Sequence, residues 1–309
     1  MSNILSVFFS SERVYLTFSR LSSKGLKLLN LNSTEFPIDL EDISSDNSTH
    51  AAQELEILIS GLPEKIDRVT ATISAENALV SQIPGDGSIA ESDLKNLIRL
   101  EINQAFPTLN FNDFSANIYP LAPKKDGSKR MIAVIIPKKI FKSAKQVLKP
   151  CGRSIDNIEI SQINAQNAFI FNYPELIEAP VALLGVDRQF VDISVVKDSA
   201  PVYYNLVRLP GASKLGEICK TEFEKILKDY AANIQSAYFF GPGLSKKILD
   251  QAQKEVAGLV MQSGRLNAFR MVSTELDDRD KQYCSRLLHI FPPCIGGSMT
   301  SYSERIKLF

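Results

Sequence analysis

Two strand–turn–strand hairpins and one glycine-rich turn are the segments of this chain that could bind phosphate. The first turn spans residues 10–13, the second spans 187–189, and the third is Gly241-Pro242-Gly243. A phosphate-binding turn needs small residues, because its backbone N–H groups must reach the phosphate oxygens without a side chain intervening. The small residues at these turns are the candidate nucleotide-binding residues: Ser10, Ser11, Gly241 and Gly243.

Asp187 opposes phosphate binding at the second turn. At ~4 Å and an effective dielectric constant of ~20, a carboxylate facing a phosphate costs on the order of 4 kcal/mol per charge pair. The third turn follows a predicted buried strand, Ala237–Phe240. A Gly-Pro-Gly sequence in that setting most often has a purely structural role.

No other residues form a recognisable catalytic or metal-binding group. His50 and His289 are the two histidines, and neither lies near other metal-ligating residues, so we expect no metal site. No Ser/His/Asp or Cys/His arrangement can be built from them, so we expect no catalytic residues. The four cysteines are scattered without a C-x-x-C spacing, which favours reduced thiols in a cytoplasmic protein.

The composition is typical of a soluble globular protein. The chain has 309 residues, of which 44% are hydrophobic and 23% charged, and its net charge is zero. That balance argues against a general nucleic-acid binder. No apolar run approaches the ~20 residues that span a bilayer. The N-terminal segment lacks a basic region and is interrupted by Glu12 and Arg13, so it predicts a strand and not a signal peptide.

A pattern of three consecutive strands occurs twice along the chain. Each strand is rich in Val, Ile, Leu, Phe and Tyr, as half-buried pleated segments require. The predicted strands are Ile4–Phe9, Val14–Phe18 and Leu26–Asn32, then Val181–Val186, Phe190–Val196 and Pro201–Val207. Amphipathic helices follow each copy. The repeat therefore predicts an α/β protein whose two related halves face each other across a cleft.

A strand-helix-strand-strand-helix-strand module is predicted within the first half, and Ile158–Ile160 is its closing strand. The predicted division of the chain is 1–78 for the first half, 79–160 for the inserted module, 161–180 for the return to the first half, 181–300 for the second half and 301–309 for a C-terminal tail.

The stretch 121–150 is strongly basic, and four of its lysines recur at i, i+4, i+7 and i+11 along one face of a predicted helix. These are Lys138, Lys142, Lys145 and Lys149. One interpretation is a solvated helix face. The other is a surface for an acidic partner or for anionic lipid headgroups, at ~1 kcal/mol per basic residue.

Several segments resemble the type IV pilus assembly protein PilM family. They are 69–84 (VTATISAENALVSQIP), 92–106 (SDLKNLIRLEINQAF), 131–148 and 179–210, and the similarity runs from residue 1 to about 297. The resemblance implies an actin-like two-lobed α/β fold with duplicated ribonuclease-H-like halves. It also implies an inserted 1C subdomain of the kind found in the cell-division protein FtsA.

The same resemblance implies a cytoplasmic scaffold, peripheral to the inner membrane, in a type IV pilus or type II secretion-like platform. PilM-like proteins bind nucleotide in the cleft and hold the short tail of the membrane protein PilN. A PilN-like tail and other platform proteins are therefore the implied partners, and ATP with Mg²⁺ is the cofactor to test.

Against the family pattern, both phosphate hairpins of this chain are altered. The acidic residue that would hold a metal-bound water becomes Phe8 in the first hairpin and Gly185 in the second. Glycines of the pattern become Ser10, Asp187 and Gln189. We therefore expect neither ATP hydrolysis nor ATP binding, that is, a pseudo-ATPase without a cofactor.

The tail Glu304–Phe309 alternates polar and apolar residues and is similar to the RINLLP tail with which PilN docks. Such a segment can add as a strand to an exposed sheet edge. A frayed terminus is the commoner outcome for terminal residues, and we expect it here.

Two alternative functions are an actin-like ATPase or sugar kinase that retains ATP binding, and an FtsA-like division filament protein. The first needs acids and glycines at the hairpins. The second normally carries a C-terminal amphipathic membrane helix, and 301–309 is too short and wrongly patterned to form one.

Overall fold

The computed structural model describes residues 1–86, 88–230, 233–299 and 306–307. The first elements are β1 (Ser2–Phe9), β2 (Val14–Ser22), β3 (Gly25–Ser33), α1 (Asp46–Ser60) and β4 (Arg68–Ile73). β2 pairs antiparallel with β1 and with β3, and β4 pairs in parallel with the other edge of β1. The three strands predicted at the N-terminus are confirmed.

The inserted module contains β5 (Leu79–Pro84), α2 (Glu91–Ala105), β6 (Phe114–Pro120), β7 (Arg130–Pro137) and α3 (Lys138–Val147). β7 lies between β5 and β6, and all pairs are antiparallel. Leu94, Ile98 and Ile102 of α2 pack on one face of this sheet with Ile118. The opposite face, which carries Tyr119, packs into the core of the first half. The module is thus joined to the first half by a shared apolar core.

The chain then forms β8 (Asn157–Ile160) and α4 (Ser161–Asn172). Our prediction that Ile158–Ile160 closes the module is wrong, because β8 pairs in parallel with β4 of the first sheet. Nearly every residue of α4 is buried, polar and apolar alike. A helix buried on all sides lacks an amphipathic stripe, which is why no periodic pattern predicted it.

The second half contains β9 (Val181–Val186), β10 (Phe190–Lys197), β11 (Ala200–Arg208), α5 (Leu215–Tyr230), β12 (Ser236–Phe240), α6 (Lys246–Val256) and β13 (Gln262–Arg265). Its sheet order is β11-β10-β9-β12-β13, and the first half has β3-β2-β1-β4-β8. Strand directions also correspond, since the three-stranded meander is antiparallel and the last two strands join in parallel. The predicted duplication is confirmed at the level of topology.

The remaining elements are β14 (Ser273–Thr274), α7 (Asp278–Leu287), α8 (Pro292–Gly297) and β15 (Ile306–Lys307). β14 adds in parallel to β3, so the chain returns from the second half to the first sheet. α8 packs against α4 so closely that a Cβ on Gly296 would lie 1.7 Å from the backbone oxygen of Asn164. This contact between two short helices at the centre of the molecule leaves space for glycine alone.

β15 pairs antiparallel with β6, with Ile306 opposite Ile118 and Lys307 opposite Asn117. Our expectation of a frayed terminus is therefore wrong for these two residues, and strand addition is what the structure has. The other tail residues, 300–305 and 308–309, lie outside the described residues.

Candidate functional site

Three backbone N–H groups of the first hairpin turn, those of Ser10, Glu12 and Arg13, bond within the turn. Ser10 is buried, and its Oγ accepts the backbone N–H groups of Glu12 and Arg13 at 3.3 and 3.2 Å. The same hydroxyl donates to the carbonyl of Arg13 at 2.7 Å. These N–H groups are therefore not available to a phosphate unless the turn's own hydrogen bonds break.

Asp187 of the second turn reaches across the cleft to the first half. Its Oδ1 accepts a hydrogen bond from Ser11 Oγ, and its Oδ2 accepts one from Ser74 Oγ at 3.0 Å. The backbone N–H of Arg188 also donates to Oδ1, at 2.7 Å. We call the set Asp187, Ser11 and Ser74 the Asp187 bridge. It links both hairpin turns and the end of β4 through one carboxylate.

The Gly-Pro-Gly turn lies directly beside the second hairpin. Gly243 donates its N–H to the carbonyl of Val186 at 3.0 Å, and Gly241 donates to the carbonyl of His289 at 2.8 Å. A Cβ would lie 2.4 Å from the Val186 oxygen at Gly241 and 2.7 Å from the Asp187 oxygen at Gly243. Both glycines therefore allow close packing of the turn on the backbone at Val186 and Asp187.

The structure thus brings all four candidate nucleotide-binding residues to one place. Ser11 bonds to the Asp187 carboxylate, Ser10 closes the same turn, and Gly241 and Gly243 pack behind the second turn. Each of these four residues contacts other residues of the chain at the place where a nucleotide was expected. Ser74 was not among the predicted site residues, and its place at the end of a strand gave no signal in the sequence.

Both positions that carry an acid in the family pattern are surrounded by packed side chains. Phe8 is 2% exposed and stacks on Tyr15, with ring centroids 6.2 Å apart. A Cβ on Gly185 would lie 2.8 Å from the Phe240 ring and 2.9 Å from Gln162 Oε1. At Gly185 any side chain would displace core residues, and at position 8 a carboxylate would replace a ring within an apolar cluster.

Three further carboxylates lie near the Asp187 bridge. Burial, followed by the charge of Asp187, raises the pKa of Glu12 and of Glu76. Asp192 is buried on β10, and Tyr204 Oη donates to its Oδ1 at 2.6 Å while Ser161 Oγ lies 3.5 Å from its Oδ2. Burial raises the pKa of Asp192 to about 7, against the hydrogen bond from Tyr204. These acids lie near Asp187, and at Glu12 the nearby cations Arg188 and Arg13 partly offset the effect of the Asp187 charge on its pKa.

Asp192 was not predicted as a site residue, although an acid within the apolar run Phe190–Val196 is unusual. Among the described residues, no group of three or more His, Cys, Asp or Glu side chains has an arrangement that could hold a metal ion.

The four lysines of the predicted basic surface lie on α3 and just beyond its end. Lys138, Lys142, Lys145 and Lys149 are all exposed, opposite the buried residues Ile140, Ala144 and Val147. Lys138 Nζ donates to the carbonyl of Asn112 at 2.8 Å. Within the described ranges, no helix has both the length and the apolar character needed to cross a bilayer.

No family model matches the chain, and no curated protein matches it significantly. Among solved structures, a chain of the PilM–PilN type IV pilus biogenesis complex superposes with a TM-score of 0.74 at 12% identity, over 96% of this chain and 99% of that one. A Bacteroides thetaiotaomicron VPI-5482 protein with an actin-like ATPase fold and unknown function gives 0.54 at 13% identity, over 85% and 90%.

The cytoplasmic domain of EpsL, an inner-membrane component of the Vibrio cholerae type II secretion system, gives 0.47 at 12% identity, over 83% of this chain and 95% of that one. At identities this low the comparisons show the fold alone. The chain has an actin-like fold, and at that level its predicted resemblance to PilM is confirmed.

The buried carboxyl of Asp192 predicts a pH-dependent stability. Because its pKa is raised to about 7 in the folded state, its contribution is fully present below the unfolded pKa of ~4 and is lost as the pH rises through about 7. In the wild type this effect lowers the unfolding free energy by at most about 4 kcal/mol between pH 4 and pH 8. Asp192→Asn cannot ionise at this position, so its unfolding free energy should not show this fall. Urea denaturation across this range measures the difference, and equal pH slopes for variant and wild type would contradict the assignment.

Proposed function

We propose that this chain is a non-catalytic actin-like scaffold, cytoplasmic and peripheral to the inner membrane, in a type IV pilus or type II secretion-like platform. Its proposed partner is a PilN-like membrane protein with a short cytoplasmic tail, together with other proteins of the platform. The observation that carries the non-catalytic part of the proposal is the Asp187 bridge, in which Ser11 and Ser74 both donate to one carboxylate.

The electrostatics of the cleft support a role without nucleotide. A triphosphate would have to break the two serine hydrogen bonds and then face the charge of Asp187. Each like-charge pair at ~4 Å costs on the order of 4 kcal/mol at an effective dielectric constant of ~20. The turn offers little in return, because Ser10 already accepts the N–H groups of Glu12 and Arg13.

The pilus or secretion assignment draws its support from the fold. The structure that superposes at a TM-score of 0.74 belongs to a complex of PilM with PilN, and the match covers nearly the whole of both chains. An ATPase or kinase of the same fold is the alternative, and the cleft chemistry above disfavours it. A division filament protein is the other alternative, and it would polymerise.

Isothermal titration calorimetry with Mg-ATP tests the non-catalytic part. We expect no measurable heat of binding for the wild type up to millimolar nucleotide. If the Asp187 charge is the main barrier, Asp187→Ala should bind Mg-ATP at least tenfold more tightly than Asp250→Ala, which removes the same charge from an exposed helix position. Wild-type binding at micromolar affinity would contradict the proposal.

Capture from detergent-solubilised membranes tests the partner. We expect the immobilised chain to retain a single-span protein with a short cytoplasmic tail, and a synthetic peptide of that tail to bind the chain in fluorescence anisotropy. A scrambled peptide is the control. Failure of the authentic tail peptide to bind, or assembly of the chain into filaments in electron micrographs, would contradict the proposed role.

The lysine face of α3 is proposed as a contact surface for anionic lipid. Four exposed lysines at ~1 kcal/mol each supply enough attraction for a peripheral protein that is also held by a partner. The double variant Lys142→Glu, Lys145→Glu should lose salt-sensitive co-sedimentation with phosphatidylglycerol vesicles. Lys246→Glu, Lys247→Glu on α6 makes the same charge change at exposed positions and should retain it. Equal sedimentation of the two variants would leave α3 as a solvated face.

A further inference from the structure

We propose that the outer edge of β6 is a strand-addition site for a short extended peptide, and that the chain's own C-terminal segment is its resident occupant. An incoming peptide must then displace residues 306–307 to bind. This inference deepens the proposed function by naming where an extended tail can be held and how access to that place is regulated.

The backbone of β6 supplies the first part of the argument. On one side β6 is paired with β7 along its whole length, from Phe114 opposite Pro137 to Pro120 opposite Met131. On its other side the strand order of the sheet ends with β15. An edge strand carries a row of N–H and C=O groups that can pair with one further strand. Ile306 and Lys307 use that capacity at Ile118 and Asn117.

An apolar contact fixes the register of this pairing. Ile306 is partly buried and packs with the module core, which includes Ile118, Ile98 and Phe114. Side chains alternate between the faces of a strand, and directly opposed residues share a face. A one-residue slip would turn Ile306 away from this core. The site therefore selects an extended peptide with a branched apolar residue as its anchor.

An acidic group faces the other side of the same edge. Glu159 of β8 is 1% exposed, and its Oε2 accepts hydrogen bonds from Tyr119 Oη and, at 3.2 Å, from Asn117 Nδ2. Asn117 and Tyr119 flank Ile118 on β6, so both face the sheet side opposite to the Ile306 anchor. A peptide in this register presents the residues on either side of its anchor to the Glu159 side.

The two faces together define a recognition pattern of basic, apolar and basic residues in an extended peptide. The tail has this pattern in its sequence, Arg305-Ile306-Lys307. Six residues join Met299 to Ile306, and a tether of that length gives an effective concentration of about a millimolar. A free peptide of similar intrinsic affinity therefore competes poorly until the tail is released.

Fluorescence anisotropy with a labelled peptide of residues 302–309 (YSERIKLF) tests the site on the 309-residue chain. Ile306→Asp places a charge on the anchor and should release the tail, so this variant should bind the peptide at least tenfold more tightly than the wild type. Ser303→Asp adds the same charge elsewhere in the tail and should behave like the wild type. Equal affinity of the wild type and Ile306→Asp for the peptide would overturn the proposal. So would the absence of binding to either protein at 100 µM peptide, because a tail tethered at about a millimolar occupies its site only if its intrinsic dissociation constant lies well below a millimolar.

Two peptide variants separate the faces of the site. A peptide with Ile306→Asp should not bind the Ile306→Asp protein, because the apolar anchor is lost. A peptide with Arg305→Glu and Lys307→Glu should bind it at least tenfold more weakly, because two acids then face the Glu159 side. Full binding of either peptide would overturn the corresponding part of the recognition pattern.

Light scattering shows whether the strand that pairs with β6 belongs to the same chain or to a second copy of it. Pairing within one chain predicts a monomer whose mass is independent of concentration. A dimer that forms at high concentration and is abolished by Ile306→Asp would overturn the intramolecular arrangement. The peptide assays use this chain alone and do not need the membrane partner. Their failure would overturn the strand-addition site without affecting the proposed partner, and failure to capture a partner would leave the strand-addition site intact.

Discussion

The hydrogen bonds from Ser11 and Ser74 to the carboxylate of Asp187 are the interaction on which the cleft depends. A carboxylate held by two serines lies at a turn where phosphate binding would require small residues and free backbone donors. The neighbouring features are consistent with it. Ser10 accepts the N–H groups of Glu12 and Arg13, and two glycines let a third turn pack on the backbone at Val186 and Asp187. The charge of Asp187 also adds to burial in raising the pKa of Glu12 and Glu76.

This arrangement changes what the two-lobed fold can do. Side chains of the chain itself link the two halves at Asp187, and α4 and α8 pack so closely that there is no room for a Cβ on Gly296 beside Asn164. A molecule held in this way is suited to present fixed surfaces. The exposed face of α3 and the outer edge of β6 are two such surfaces, and both belong to the inserted module.

Elements with a clear hydrophobic period were predictable from the sequence. The two strand meanders were found within a few residues of their observed bounds, because alternating apolar residues and polar turns mark each strand. α4 was missed, since Gln162, Asn164 and Gln166 are as buried as Ala165 and Phe169 and no amphipathic stripe results. β8 was recognised as a strand but assigned to the wrong sheet, because a short strand at a module boundary carries no information about its pairing partner.

In the candidate site, too, some features could be predicted from the sequence and others could be seen only in the folded chain. The altered positions Phe8, Gly185 and Asp187 were found by comparing the two hairpins with the family pattern. The role of Ser74 could not be found in this way, because it depends on a contact between segments more than a hundred residues apart. β15 was one of two outcomes considered for the tail. Choosing between them required the position of the β6 edge, which only the folded chain provides.

The most direct measurement of the central claim is a crystal structure of the protein grown with a non-hydrolysable ATP analogue and Mg²⁺. We predict that Asp187 will still accept hydrogen bonds from Ser11 and Ser74, with no triphosphate between the lobes. A triphosphate and magnesium seated against the two hairpin turns, with Asp187 displaced from both serines, would contradict the account.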